Sequence, residues 1–282
     1  MRASNLHHLK HHFMAEETNG RYALVTGASS GIGYELAKLF AADGYNIIAV
    51  SRTESDLQRV ATEISGSYGV KVEVMPKDLF GEKAATELYE EVKSRGYEVE
   101  VLVNDAGQGV FGLFHETDIE EQMKIIHLNI VSLTRLTYHF LQDMKARNSG
   151  KILQLGSVVS EIPAPYQAVY GGTKAFVLSF TEALISELKD TNITITTLQP
   201  GATDTDFFAK AGAEDSKIVQ KSSLADPAKV AKDGYKALMS GDDKVVSGLK
   251  NKAQIAMSNV IPDTMVADGM KKQSEPVDKT KE

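Results

Sequence analysis

The segment YGGTK, from Tyr170 to Lys174, places a phenol and an ammonium four residues apart, just before an apolar run typical of a buried helix. Positions i and i+4 of a helix share a face, so the two groups can converge there. Gly171 and Gly172 each cost about 1 kcal/mol relative to alanine in a helix interior, so helix stability does not explain them. We expect the glycines to leave room for a bulky ligand beside a phenol that exchanges a proton.

The bulk composition excludes several classes of protein. The 282 residues are 42% hydrophobic and include 38 acidic and 31 basic residues, for a net charge of −7. A general phosphate-backbone binder needs a basic face, so we expect no nucleic-acid partner. The chain has no cysteine, which excludes disulfides and thiol catalysis and fits a reducing compartment. No apolar run approaches the roughly 20 residues that span a bilayer, so we expect a cytoplasmic protein without a membrane span.

The two ends of the chain differ from its centre. Residues 1–20 hold four of the seven histidines and lack the apolar core of a secretory signal, so we expect a disordered leader, or a tag upstream of Met14. The alternative, a metal bound by His7, His8, His11 and His12, requires that this segment form a helix. Residues 21–250 should form one folded domain, followed by a C-terminal extension over 251–282 with a polar tail from about 271.

Short apolar runs alternate with longer amphipathic ones along this central region. The alternation predicts βαβ crossovers, and strands that are apolar on nearly every residue are typical of parallel sheets covered on both faces. The sequence therefore predicts a doubly wound (Rossmann) α/β fold in a single domain, with a mostly parallel seven-stranded sheet. The candidate strands are 22–26, 46–50, 72–75, 99–104, 151–157, 193–199 and 244–248.

The first candidate strand runs directly into the glycine-rich stretch TGASSGIG. Gly27, Gly31 and Gly33 permit a tight turn, and the free N–H groups of the following helix favour an anion such as pyrophosphate. An ordinary glycine-rich turn is the alternative for the glycines alone. The strand before them and the helix after them favour the phosphate site.

These features resemble the classical short-chain dehydrogenase/reductase family, whose nucleotide loop reads TGxxxGxG, and the resemblance extends from about Tyr22 to Gly248. Variant stretches such as NDAGQGVFG and PGATDTDFF are most similar to the DltE-like branch of that family. One departure is Asp105, where the family usually has the second asparagine of NNAG; we expect it to alter stability more than function. The further matches, in family order, are Asp78 and Leu79, Asn104 to Gly107, Asn129, Ser157, Tyr170 and Lys174, and PGATDT from Pro200.

The resemblance implies a hydride transfer between nicotinamide and a carbonyl or alcohol, with Tyr170 as general acid/base. The pKa of a free tyrosine lies near 10, and we expect Lys174 and the oxidised nicotinamide to lower it towards neutrality. By resemblance, Ser157 hydrogen-bonds the substrate oxygen, Lys174 also binds the ribose hydroxyls, and the backbone of Asn129 holds a relay water. Taken singly, each residue has an ordinary explanation as a turn, cap or surface contact.

The end of the second candidate strand decides which dinucleotide binds, because an acid there holds a ribose 2′-OH and an arginine a 2′-phosphate. The chain has Ser51 and Arg52 at that point, which predicts NADP(H) unless Arg52 is only a surface residue. No metal is expected in the site. The complete set of expected cofactor-binding residues is Gly27, Ser29, Ser30, Gly31, Ile32, Gly33, Ser51, Arg52, Asp78, Leu79, Asn104, Ala106, Gly107, Tyr170, Lys174, Pro200, Gly201, Thr203 and Thr205.

Apolar residues in the expected substrate loops predict a ketone, aldehyde or secondary alcohol without a charged group at the reacting end. The same residues could instead pack a lid over the nicotinamide, and the polar stretch 209–223 has the character of a mobile lid. The apolar residues of the expected substrate loops are Val110, Phe111, Val158, Val159, Ile162, Pro163, Tyr166, Phe207 and Phe208.

The run from Ala175 to Leu188 is apolar over more than one helical face, which favours self-association as a dimer or tetramer. In the family, this helix and the one around residues 119–144 commonly form a dimer interface. Two alternatives to the NADP(H) enzyme stay open at this point. One is an NAD-linked alcohol dehydrogenase on the same fold, and the other is a dinucleotide-binding scaffold without turnover.

Overall fold

The structure is a computed structural model that describes residues 20–221 and 223–277, and its centre is a seven-stranded sheet. The spatial order of the strands is β3-β2-β1-β4-β5-β6-β7, and all neighbours are parallel. The order reverses between β1 and β4, which confirms the doubly wound α/β prediction. The strands are β1 (Arg21–Thr26), β2 (Asn46–Ser51), β3 (Val72–Pro76), β4 (Glu98–Asn104), β5 (Gly150–Leu155), β6 (Ile193–Gln199) and β7 (Lys244–Val246).

Helices cover both faces of the sheet. The helices are α1 (Gly31–Ala42), α2 (Glu54–Tyr68), α3 (Ala84–Ser94), α4 (Ile119–Ile126), α5 (Leu133–Arg147), α6 (Ala168–Glu187), α7 (Phe207–Lys210), α8 (Lys217–Lys221), α9 (Pro227–Ser240), α10 (Leu249–Ser258) and α11 (Asp263–Ser274). Buried residues of α1, α2 and α9 form one core with the sheet, and residues of α3, α5 and α6 form a second core on the opposite face.

Strand burial explains why these segments form a parallel sheet. Ala23, Leu24 and Val25 of β1 are completely buried, and alternate residues join opposite cores. On α1, the core-facing stripe includes Leu36 and Phe40, which are four residues apart and also completely buried. The apolar residues of the strands and of the helices therefore pack into the same two cores, one on each face of the sheet.

Three segments differ from the sequence expectations. The fifth strand ends at Leu155, and Ser157 instead caps a short 3₁₀ turn, Val158–Ser160. The helix expected around 119–144 is interrupted by a π-helical segment, His127–Ser132. Residues 271–274, expected within the polar tail, complete α11, because Met270 and Ser274 pack into the protein.

The expectations for residues 1–19, including the four histidines, lie outside the described residues. Among the residues that the structure describes, no helix combines the length and apolar character required to cross a membrane.

Candidate active site

A cleft of about 830 Å³ opens along the carboxyl edge of the sheet. Ligands of open α/β sheets bind outside the carboxyl ends of the strands, near the point where the strand order reverses. This cleft is therefore the candidate site. Its wall includes residues that follow six strands in turn: Gly27, Arg52, Asp78, Ala106, Ser157 and Pro200.

The glycine loop after β1 has the geometry of an anion-binding turn. Gly27 and Gly31 have φ angles of +73° and +60°, in the left-handed region that favours glycine. A Cβ atom on Gly33 would lie 2.6 Å from the Gly27 carbonyl oxygen, so the close turn requires glycine there. Ser30 is the N-cap residue of α1, but its side chain accepts no hydrogen bond from the first turn of the helix. The backbone N–H groups at the start of α1 can therefore donate to another acceptor, such as a phosphate oxygen. Ser29 and Ile32 also line the cleft.

Basic side chains gather where β2 and β3 end. The Arg52 guanidinium lies 5.7 Å from the centre of the Phe80 ring, a cation–π contact that orients it beside the cleft. Arg59 of α2 and Lys77 line the same wall. The hydroxyl oxygen of Ser51 is buried and has no hydrogen-bond partner within the described part of the chain. This corner can therefore bind an anionic group.

Sequence reasoning found Ser51 and Arg52 but missed Arg59. Its guanidinium Nη2 donates to the Ser29 carbonyl oxygen at 3.2 Å, which connects α2 to the glycine loop. Asp56 and Arg59 both line the cleft and are three residues apart on α2. Residues three apart share one face of a helix, so this spacing in the first turns of the helix after β2 could have indicated that Arg59 faces the cleft.

Two pairs of expected residues follow β3 and β4. Asp78 and Leu79 line the cleft, and Asp78 Oδ1 accepts a hydrogen bond of 3.2 Å from the backbone N–H of Phe80. Ala106 and Gly107 also line it. The structure therefore brings these four residues to the edge that carries the glycine loop.

Asn104 has a structural side chain. Its Nδ2 donates to Thr137 Oγ1 and to Gln154 Oε1, both at 3.0 Å, and the residue is 3% exposed. The side chain therefore joins β4 to β5 and α5 behind the cleft. Asn104 itself does not line the cleft.

Ser157, Tyr170 and Lys174 come together beyond the carboxyl end of β5. Lys174 Nζ lies 5.6 Å from the centre of the Tyr170 ring, one helical turn earlier on α6. The Ser157 hydroxyl hydrogen-bonds the Tyr170 oxygen. Lys174 is 3% exposed, and its Nζ donates to the Leu155 carbonyl oxygen at 2.6 Å. A phenol, a hydroxyl and an ammonium thus share one small region beside the cleft.

The electrostatics of Tyr170 differ from the expectation. Burial raises its pKa above the ordinary value of 10.0, an effect that the Ser157 hydrogen bond opposes and the Asp105 charge reinforces. Burial also lowers the pKa of Lys174 from 10.5 to about 8, which the Asp105 charge opposes. In the protein alone, Lys174 therefore does not bring the Tyr170 pKa towards neutrality, because desolvation of the phenol dominates. The expected lowering by Lys174 together with the oxidised nicotinamide stays a prediction. At pH 7 the phenol is neutral and can donate a proton.

Asn129 joins the loop after β4 to the helix of Tyr170. Its Oδ1 accepts from the Gln108 backbone N–H at 3.1 Å, and its Nδ2 donates to the Gln108 carbonyl oxygen at 2.9 Å. Nδ2 also donates to Thr173 Oγ1 at 3.0 Å, next to Lys174. Asn129 lies in the π-helical segment, and such irregular turns are frequent at functional sites because they shift backbone hydrogen bonds. Gln108 was missed by the sequence reasoning.

The surroundings of the two glycines of YGGTK differ from those expected from the sequence. A Cβ on Gly171 would lie 2.7 Å from Ala164 Cβ, so this glycine permits close packing of α6 against the preceding loop. Gly172 is exposed, and a Cβ atom there would meet no group of the described residues within 4 Å. Neither glycine lines the cleft. The expectation that both leave room for a ligand is therefore wrong.

The loop after β6 covers the glycine loop. Pro200, Gly201, Thr203 and Thr205 all line the cleft. The Thr205 methyl group would lie 2.9 Å from a Cβ atom on Gly31, which shows how closely the two loops approach. The structure thus brings these expected residues together with the phosphate-type turn.

Several of these groups already have partners. Thr203 is 6% exposed and its hydroxyl donates to the Gly201 carbonyl oxygen at 3.0 Å. A Cβ on Gly201 would lie 2.5 Å from Asn251 Nδ2, so α10 packs directly on the turn after β6. Ser30 Oγ donates to Asp206 Oδ2 at 3.2 Å across the two loops. The contribution of α10 was not visible in the sequence, because its contact with residue 201 joins segments separated by β7.

The expected apolar wall is formed only in part. Val158, Val159, Phe207 and Phe208 line the cleft. The Phe207 ring lies 5.0 Å from the Tyr170 ring, centre to centre.

The remaining apolar residues of that set pack elsewhere. Ile162 packs with Ile255 and Met270 beneath the C-terminal helices. Phe111 and Tyr166 stack on each other, with 5.4 Å between the ring centres. The expected wall residues that do not line the cleft are Val110, Phe111, Ile162, Pro163 and Tyr166.

Comparison with known proteins identifies the family of this chain. Residues 21–216 match the short chain dehydrogenase family. The chain is 33% identical over 190 residues to human 17-beta-hydroxysteroid dehydrogenase type 3, covering 66% of this chain and 60% of that protein. It is 36% identical over 188 residues to the very-long-chain 3-oxoacyl-CoA reductase of Vanderwaltozyma polyspora, covering 63% and 54%. The matched region thus spans little more than half the length of these relatives.

A solved structure agrees with the same assignment. A short-chain dehydrogenase from Sphingobium yanoikuyae in complex with NADPH superposes with a TM-score of 0.75 and 26% identity. The superposition covers 86% of this chain and 96% of that one. The likeness therefore covers most of the fold.

Proposed function

The chain belongs to the short-chain dehydrogenase family, and from that premise we propose that it is an NADP(H)-dependent oxidoreductase with Tyr170 as general acid/base. The observation that carries the proposal is that Tyr170 and Ser157 line the same cleft as the glycine loop, with Lys174 buried beside the Tyr170 ring. A proton donor and an anion-binding turn at the same cleft are what a reductase of this type needs.

The residues of the cleft fit a dinucleotide. The turn formed by Gly27, Gly31 and Gly33 has no space for side chains, which is the cradle that a pyrophosphate requires. The Ser51 hydroxyl, buried and without a hydrogen-bond partner among the residues that the structure describes, lies at the strand end where the ribose is expected. When bound, the nicotinamide supplies or accepts the hydride.

The chain's own residues supply the proton and the positioning. Tyr170, neutral because of its burial, donates the hydroxyl proton to the carbonyl oxygen of the substrate as that oxygen becomes an alkoxide. Ser157, which already hydrogen-bonds the phenol oxygen, holds the substrate oxygen beside it. Lys174 holds the ribose hydroxyls, and the Asn129 backbone in the π-helical segment holds the relay water.

Arg52 and Arg59 support NADP(H) over NAD(H). Both guanidinium groups border the cleft at the end of β2, and no carboxylate occupies position 51 to bind a ribose 2′-OH instead. Two arginines can bind the 2′-phosphate through charge-assisted hydrogen bonds. Asp56 lines the same wall, and its carboxylate would act against this preference.

The proposed substrate is a ketone or aldehyde that is apolar around its carbonyl, or the corresponding secondary alcohol. Val158, Val159, Phe207 and Phe208 line the part of the cleft next to Tyr170. The relatives named above are a hydroxysteroid dehydrogenase and a 3-oxoacyl-CoA reductase, so steroid ketones and 3-oxoacyl thioesters are substrates to test. The DltE-like branch and a cytoplasmic location stay predictions from sequence.

Self-association as a dimer or tetramer is part of the proposal. The Phe176 and Phe180 rings of α6 stack at 5.6 Å on the outer side of the helix, and Phe176 is 38% exposed. Ile119 and Met123, four residues apart on α4, are at least half exposed. These apolar side chains suit burial against a second copy of the chain.

The experiment is a panel of ketones, aldehydes and secondary alcohols screened for a change in NADPH absorbance. We expect NADPH consumption with at least one apolar carbonyl compound, and a lower rate with NADH. Binding of NADPH without turnover on any compound would instead support a dinucleotide-binding scaffold. A preference for NADH would support the NAD-linked alternative.

A further inference from the structure

Asp105 follows β4, lines the cleft and contacts the glycine loop. Its Oδ2 would lie 2.7 Å from a Cβ atom on Gly27 and 2.6 Å from one on Gly33. The Gly33 backbone N–H donates a hydrogen bond to this carboxyl. The side chain therefore braces the turn proposed to hold the pyrophosphate.

The position of Asp105 is fixed through its backbone. Its N–H donates to Thr26 Oγ1 at 3.1 Å, and the N–H of Ala106 donates to the same oxygen at 3.0 Å. The other carboxyl oxygen, Oδ1, is buried and has no hydrogen-bond partner in the described residues. A buried carboxyl oxygen without a partner indicates that the charged form is poorly stabilised at this point.

The charges that face this carboxyl come from α6. Lys174 is the charged group that favours the carboxylate, and Tyr170 is the other titratable group near it. The glycine loop that packs against it contributes Gly27 and Gly33, which have no side chain. Burial raises the pKa of Asp105 from 3.8 to about 7, although Lys174 and the Gly33 N–H oppose this. Near neutral pH the carboxyl is thus close to the midpoint between its two forms.

We propose that Asp105 is a positioning residue that couples dinucleotide binding to the uptake of one proton from solvent. A carboxylate beside the glycine loop repels a pyrophosphate bound at that loop, whereas the protonated carboxyl does not. The protonated form still accepts the Gly33 N–H through its carbonyl oxygen, so the brace on the turn is kept. The proton moves from the buffer to the Asp105 carboxylate as the dinucleotide binds. This inference rests on the proposed function.

Asparagine has the shape of the protonated carboxyl and does not titrate, so Asp105→Asn is the matched variant. We would measure the Kd of NADPH at pH 6, 7 and 8 for both proteins, with circular dichroism to confirm folding. The wild-type Kd should weaken by about tenfold more than the Kd of the variant between pH 6 and 8, as the linkage of one proton near pH 7 requires. The ratio cancels the titration of the NADPH phosphate itself. Asp206→Asn, which removes a carboxylate from the same cleft, should shift the Kd equally at each pH.

A second measurement counts the proton directly. Titration calorimetry at pH 8, in buffers of different ionisation enthalpy, should show that the wild type takes up close to one proton more per NADPH than Asp105→Asn does. The difference between the two proteins removes the uptake expected at Lys174, whose pKa is about 8. Parallel pH dependences of Kd in the two proteins, or equal proton uptake by the two, would overturn the coupling and leave the proposed function standing. A folded wild type that binds neither NADPH nor NADH would overturn the proposed function, and the coupling with it.

Discussion

Lys174 Nζ donates a hydrogen bond of 2.6 Å to the carbonyl oxygen of Leu155, the last residue of β5. This bond fixes the rotation of α6 against the strand that leads to Ser157. Tyr170 lies one turn earlier on the same helix, so the bond also sets where the phenol meets the Ser157 hydroxyl. The lysine therefore has a positioning role in addition to any contact with a ligand.

The pH dependence of turnover should follow Lys174. Its pKa in the folded protein is about 8, below the ordinary 10.5, so the ammonium predominates below pH 8 and is lost as the pH rises above it. If the ammonium is required, kcat/KM for NADPH should lose a further factor of about ten per pH unit above 8, beyond the decrease that the coupling at Asp105 causes from pH 7. Lys174→Arg keeps the charge and should move this decrease to higher pH. A wild-type profile that stays level to pH 10 would contradict the role of the ammonium.

The dinucleotide preference should depend on both arginines at the end of β2. A charge-assisted hydrogen bond contributes about 1.5–3 kcal/mol, so Arg52→Asp should reduce the NADPH-to-NADH ratio of kcat/KM by about ten- to hundredfold. Arg59→Ala should reduce it by less, because that guanidinium also binds the Ser29 carbonyl oxygen. Arg95→Ala is the control, since Arg95 pairs with Glu91 outside the cleft. An unchanged ratio in Arg52→Asp refutes the assignment to NADP(H).

The adjacent glycines of α6 should respond in opposite directions to the same substitution. Gly172→Ala places a methyl group in open space within a helix, which should stabilise the protein by about 1 kcal/mol, or about 2–4 °C in Tm. Gly171→Ala places a methyl group 2.7 Å from Ala164 Cβ and should destabilise it by about 1–3 kcal/mol. Thermal unfolding of the two variants measures both. Equal shifts would show that α6 does not pack on Ala164 as described.

Self-association should depend on the exposed aromatic pair of α6. Light scattering at micromolar concentration should give the mass of a dimer or larger assembly for the wild type. Phe176→Asp should shift it towards the monomer, because a carboxylate then enters the buried apolar interface. Tyr68→Asp, on an exposed aromatic of α2, should leave the mass unchanged. A monomeric wild type would contradict the assembly proposed for this helix.

The sequence was sufficient for the fold because strand burial and helix periodicity agree. The apolar run of β1 and the stripe of α1 both read directly as core, and the sheet formed as predicted. Residues at strand ends, such as Ser157 and Arg52, could be placed at one edge for the same reason, since parallel strands end at the same side of a sheet.

The parts that sequence could not predict depend on contacts between distant segments. The pKa of Tyr170 is set by how deeply the phenol is buried, which spacing on a helix does not reveal. The reason for Gly171 lies in Ala164, a neighbour that only the folded loop supplies. The packing of Asn251 on Gly201 likewise joins two segments about fifty residues apart, beyond the reach of any local pattern.

The measurement that tests the central claim most directly is carbonyl reduction by Tyr170→Phe, with NADPH binding as the control. Removing only the hydroxyl should lower kcat by about 10²–10⁴-fold and leave the Kd of NADPH nearly unchanged, since the ring and its packing against Phe207 remain. A variant that reduces the same substrate at the wild-type rate would contradict proton transfer by this phenol.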